Sequence, residues 1–130
     1  MTENEIGTIV VSSCIKIHQS LGPGLLESVY QRVLAYELKQ QGLHVECEVP
    51  IPIRYDDMEF EDGFRADIIV EGKVILELKS VERVAPVHMK QLQTYLQLTG
   101  IRLGYLLNFG EVLMKTGIKR AVNNLNESPV

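Results

Sequence analysis

The feature that most constrains this chain is a change of hydrophobic period at Gly42-Leu43. Upstream, Ile6, Ile9, Val10, Ile17 and Leu21 recur at mostly helical spacing, which predicts an amphipathic helix over about residues 4–20. Gly22-Pro23-Gly24 breaks it. Leu26, Val29, Tyr30, Val33 and Leu34 then form the stripe of a second helix that stops at Gly42. From Leu43 onward the period is two: Leu43, Val45, Cys47, Val49, Ile51, Ile53 and Tyr55 are apolar, with His44, Glu46, Glu48 and Arg54 between them. That pattern is a long, half-buried strand. Pro50 and Pro52 lack the N–H a central strand needs, so they confine it to a sheet edge or a break.

The remainder reads as a sheet with one helix inside it. Residues 56–62, ending at Gly63, form an acidic hairpin region, followed by strands over about 64–70 and 74–80 joined by Glu71-Gly72-Lys73. A helix over about 87–99 starts after Pro86, a residue suited to a first helical turn. Leu103 to Leu107 is a buried strand, Asn108-Phe109-Gly110 a turn, and Val112 to Met114 a further candidate strand. The polar tail from Asn123 is expected to fray, giving one domain over 1–125 and a tail at 126–130. The expected class is α/β or α+β, with a mixed central sheet flanked by helices. A chain of 130 residues that is 45% apolar and 23% charged supports one core of that kind.

Cys14 and Cys47 stand in unrelated contexts and read as reduced, intracellular thiols. The acidic start has no apolar run behind it, so no signal peptide is visible. The longest apolar run, Val33 to Tyr36, spans four residues, far short of the ~20 needed to cross a bilayer. A soluble, cytoplasmic protein without a membrane partner is expected. With 13 basic and 17 acidic side chains the formal charge is −4, which argues against broad coating of nucleic acid. It leaves room for a small site whose carboxylates are neutralised by a metal ion.

The chemistry lies in Phe64-Arg65-Ala66-Asp67-Ile68-Ile69-Val70 and Val74-Ile75-Leu76-Glu77-Leu78-Lys79-Ser80. Charges inside apolar strands are costly unless paired or bound to metal. Alternation puts Glu77 and Lys79 on one face with Ile75, and Asp67 on a face with Arg65 and Ile69. A three-residue loop at 71–73 pairs Val70 with Val74 and so brings Asp67 opposite Glu77; a two-residue loop would separate them. Opposed Cβ atoms lie ~4.5–5.5 Å apart, close enough for two carboxylates to share one cation. Oxygen ligands suit Mg²⁺ or Mn²⁺, and Lys79 on the same side would steady hydroxide or phosphate charge.

Asp67 followed ten residues later by Glu77-x-Lys79 resembles the core of the PD-(D/E)XK nuclease superfamily. Gly24-Leu25-Leu26-Glu27-Ser28-Val29-Tyr30 is similar to the signature of the GxxExxY proteins, a bacterial group placed in that superfamily. The likeness runs from about His18 to Val122 and includes Leu21-Gly22-Pro23-Gly24 and Asn108-Phe109-Gly110. It implies a restriction-endonuclease-like core and a Mg²⁺-dependent nuclease. Asp67 and Glu77 would be metal ligands, with the Leu78 carbonyl as a further oxygen, and Glu27 would add a metal contact or orient water. Gln91-x-x-x-Tyr95 resembles a Gln-x₃-Tyr motif that some members carry on the next helix, where His88, Gln91 and Tyr95 share one stripe. Ala66 stands where the superfamily name has proline. The expected partner is nucleic acid, DNA ahead of RNA. Little surface is left to grip a duplex, which suits a homodimer.

Each motif has a plainer reading. Glu77 and Lys79 could be an exposed strand pair, and Glu27 could sit in the first helical turn for its dipole alone. Gln91 and Tyr95 could be polar helix-face residues. Tyr30 is better read as a core-edge aromatic, His18 as a helix C-cap or satisfied histidine, and Asn108 as turn chemistry. His88 and Arg65 could hold phosphate or pair locally. The acidic run at 56–62 lacks the spacing of a calcium loop and reads as a solvated hairpin. No aromatic–basic interleaving or basic groove is evident in the sequence. The competing function is therefore a catalytically silent binding or scaffold module that keeps the nuclease fold.

Overall fold

The computed structural model describes residues 1–126. Helix α1 (Glu3–Leu21) starts at Thr2, whose hydroxyl accepts the Glu5 N–H while the Glu5 carboxylate accepts the Thr2 N–H. This reciprocal cap satisfies two otherwise orphan donors. Helix α2 (Glu27–Gln40) follows the glycine-proline break, and β1 (Val45–Tyr55) begins after Gly42, at φ +85°. Then come β2 (Met58–Val70), β3 (Val74–Lys79), α3 (Pro86–Thr99), β4 (Leu103–Asn108), a short turn of helix α4 (Met114–Gly117) and β5 (Ile118–Val122).

The strands form one mixed sheet in the order β1-β2-β3-β4-β5, with only β3 and β4 parallel. Helices α1 and α2 cover one face through Ile6, Val10, Cys14, Ile17, Leu34 and Leu38. Leu92 and Leu96 of α3 close the other face over Ile69, Ile75 and Leu106. The result is the expected α+β arrangement, a mixed sheet between helices.

Three expectations need correction. Strand β2 is longer than read, and the acidic segment narrows to a turn at Asp56-Asp57. The pairing slips between Ile51↔Phe64 and Ile53↔Phe60, so Glu61, Asp62 and Gly63 face Pro52, which has no N–H to offer. Residues 112–114 are not a strand; the chain bends there and enters α4, and the fifth strand is β5. With Lys119 and Arg120 exposed and Ala121 buried, β5 lacks a clean alternation. Its backbone pairing with β4 defines it instead. The tail from Asn123 is also tied down: its N–H donates to Arg102 O at 2.8 Å, its side chain to Leu96 O at 3.1 Å, and Leu125 packs on the core. Of the tail expected at 126–130, residues 127–130 lie outside the described residues.

One irregularity shapes the site. Phe64 and Ala66 pack on the α3 side, but Ile68 and Val70 pack on the α1/α2 side, although strict alternation would keep all four together. The crossover falls at Asp67, across from Glu48, whose φ of 52° is left-handed. Arg65 therefore does not share a site with Ile69; it is exposed and pairs with Asp62 at 3.0 Å.

Candidate active site

The link between β2 and β3 decides whether the two acids meet. Glu71 (φ 54°) and Gly72 (φ 63°) are both left-handed, and the Lys73 N–H donates to Val70 O at 2.9 Å. Glu71 holds this conformation because its N–H donates to His44 O while its carboxylate accepts the His44 N–H. Val70 thus pairs with Val74, Ile69 with Ile75 and Ile68 with Leu76. The loop has the odd length that brings Asp67 and Glu77 together.

Past Ile68↔Leu76 the carboxylates take over from backbone pairing. Glu77 Oε2 accepts the Asp67 N–H at 2.9 Å, and Asp67 Oδ2 accepts the Leu78 N–H at 2.8 Å. Each acid is held by the other strand's backbone, so their positions are set by the sheet. Burial and then the Asp67 carboxylate push Glu77 up to about 8. Burial also raises Asp67, with the charges of Glu48 and Glu27 adding to it; the Leu78 N–H and Lys79 act the other way. Two half-buried acids that repel each other are an arrangement a cation relieves.

Lys79 is half-buried two residues on, and its charge favours ionisation of both acids. Its neighbour on β4 is Asn108, a buried residue whose Oδ1 accepts the N–H groups of Val81 and Gly110 at 3.1 Å each. The turn chemistry expected of Asn108 is present, and it braces the chain leaving β3.

Glu27 opens α2 and is exposed; its charge reaches Asp67, but among the described residues no hydrogen bond joins it to either acid. The loop before it is anchored. Tyr30, fully buried and stacked on Phe109 at 4.5 Å, donates its hydroxyl to Gly22 O at 2.5 Å and accepts the Leu25 N–H at 3.1 Å. Ser80 Oγ donates to Leu25 O at 2.6 Å, fastening the loop to the end of β3. Tyr95 stacks on Phe64, with ring centroids 3.8 Å apart. Burial raises its hydroxyl, and the charges of Glu77 and Asp67 add to the effect. Gln91 is exposed one turn earlier, without a contact to the acids among the described residues. His88 caps its own helix, Nδ1 accepting the Ala85 N–H at 3.1 Å, and His18 Nε2 donates to Glu111 O at 2.8 Å. Both histidines are therefore locally satisfied.

Two residues escaped the sequence reading. Gln31 Nε2 donates to Glu48 Oε1 at 2.9 Å and to Asp67 O at 3.3 Å, so a fourth acid stands beside the pair. Glu48 looked like an outward polar position of an alternating strand, and nothing in the sequence marks its left-handed backbone. Gln31 was findable, one helical turn from Glu27.

Among the described residues no three His, Cys, Asp or Glu side chains form a ready-made cage. The donor set at Asp67 and Glu77 still fits a hard cation of the Mg²⁺ type, which takes one or two carboxylates and completes its shell with water and phosphate oxygens. No helix among the described residues is long and apolar enough to cross a membrane. A family model described as the PD-(D/E)XK nuclease superfamily matches residues 4–121. No curated protein and no solved structure matches the chain.

Proposed function

Because the chain belongs to the PD-(D/E)XK nuclease superfamily, we propose that it is a metal-dependent nuclease whose cation is held by Asp67 and Glu77. The observation that carries this reading is the reciprocal grip of the two carboxylates on each other's strand, with Glu77 held near neutrality. A structural ion pair would give each acid a cation; here two acids face each other, offset by the Leu78 and Asp67 N–H groups and by the charge of Lys79. The Gly24-to-Tyr30 signature supports a place among the GxxExxY proteins.

Bound Mg²⁺ or Mn²⁺ supplies the charge that polarises a phosphoryl oxygen and makes water more acidic. Asp67 and Glu77 orient that charge, and the Leu78 carbonyl offers a further oxygen. Lys79 offsets negative charge growing on the phosphoryl oxygens, an interaction strengthened by its half-buried setting. Glu27 orients water from the start of α2, and Gln91 and Tyr95 position phosphate from α3. A second copy of the chain would widen the footprint on a duplex.

The test is cleavage of single- and double-stranded DNA and RNA with and without Mn²⁺, by wild type and Glu77→Ala. The expected result is Mn²⁺-dependent cleavage that falls by about a hundredfold or more in the variant, since losing even a supporting residue of a metal site costs 10–100-fold. Cleavage that persists in the variant, or none on any substrate, contradicts the proposal.

A further inference from the structure

The sequence offered no basic groove, but the fold builds a small one. Arg32, Tyr36 and Lys39 lie at i, i+4 and i+7 on α2 and so share one exposed stripe. With Cys47 and Glu48 of β1 opposite, they line a groove of about 450 Å³. One side of it adjoins the active site, since Gln31, which lines the groove with Glu48, donates to Asp67 O.

Three features single this groove out. Among the described residues neither Arg32 nor Lys39 has an ion-pair or hydrogen-bond partner for its side chain. Lys16, Arg54 and Arg65 are taken by Glu37, Glu59 and Asp62, and the cleft lined by Arg83 and Lys119 carries Glu82 and Glu111 and no aromatic ring. Tyr36 is 61% exposed, which leaves its ring open to solvent beside Arg32 and Lys39. The groove also adjoins the strand that carries the acids, because Cys47, which lines it, pairs with Ile68, the residue after Asp67.

We propose that this groove is the track for a single-stranded polynucleotide entering the active site, with Tyr36 stacking on a base and Arg32 and Lys39 holding phosphates. The inference rests on the nuclease reading and adds a substrate form to it. Free cations beside a carboxylate site match a polyanion, and an open aromatic face takes a base only where that base is not already stacked in a duplex. From Gln31 to Lys39 the helix rises ~12 Å at 1.5 Å per residue. That length accommodates about three steps of a stacked strand at 3.4 Å each.

The probe is a short fluorescent oligothymidylate, with an oligouridylate and a duplex as further arms, titrated by anisotropy with divalent ions chelated so that no turnover occurs. Tyr36→Ala is expected to weaken oligothymidylate binding by roughly five- to a hundredfold, the worth of one stacked base, and Tyr36→Phe to restore it. Arg32→Gln with Lys39→Gln is expected to lower the salt slope of binding by about 1.4, from ~0.7 per phosphate on single strands. Neither change should alter Mn²⁺ binding or melting temperature. Bound oligothymidylate should also slow alkylation of Cys47. Unaltered affinity in these variants, equal losses on the duplex, or no binding by wild type overturns the track. A wild type that binds oligothymidylate but not Mn²⁺ would sink the metal reading while leaving the groove standing.

Discussion

Glu77 is the residue under most electrostatic stress. Burial beside Asp67 holds it near 8, against an ordinary carboxylate value of 4.5. Between those values the folded protein keeps a proton that the unfolded chain has released. Stability of the metal-free protein should therefore fall as pH rises from about 4.5 to 8, and Asp67, raised for the same first reason, pulls the same way. Glu77→Gln removes the charge but keeps an acceptor for the Asp67 N–H. In chelator at pH 8 its melting temperature is expected to exceed that of wild type by a few degrees, with a flatter pH profile. A lower melting temperature at pH 8 would mean that the carboxylate's hydrogen bond outweighs its repulsion. The meeting of Asp67 and Glu77 was legible in part: a three-residue loop at 71–73 brings them together and a two-residue loop would not, and the register Val70↔Val74 decides for the former. Glu48 was not, because a left-handed glutamate leaves no local signature.

At the scale of elements, the loop between α1 and α2 and the end of β3 behave as one unit. Tyr30 serves both, stacking on Phe109 while bonding Gly22 and Leu25. Tyr30→Phe keeps the ring but removes two part-buried hydrogen bonds, to the Gly22 carbonyl and from the Leu25 N–H. The expected cost is about 1–3 kcal/mol in urea unfolding, with Mn²⁺ binding retained because no metal oxygen is lost. A cost below ~0.5 kcal/mol would show that water replaces the hydroxyl. The three long helices were readable from apolar spacing and their glycine or proline ends. Strand β5 was hidden because its side chains carry no alternation; β4 supplies the partner that makes Ile118–Val122 a strand. The slip at Pro52 was half legible, since the prolines announced a break but not which three residues would bulge opposite.

Over the whole molecule, the two sides of the sheet divide the labour. Helices α1 and α2 with one face make the larger core, the smaller core lies beneath α3, and the acids meet where the far end of β3 faces Asp67 within β2. The net charge of −4 says nothing of where charge lies; under the proposal the cations that hold substrate are Arg32, Lys39 and Lys79, the first two without a side-chain partner among the described residues. The measurement that bears most directly on the central claim is calorimetric titration of Mn²⁺ into wild type, Asp67→Asn and Glu77→Gln at pH 7, in buffers of different ionisation enthalpy. The account predicts one site in wild type, binding accompanied by proton release because Glu77 is largely protonated at that pH, and affinity lost by tenfold or more in both variants. Binding of equal strength in all three proteins, or no binding to wild type, would contradict it.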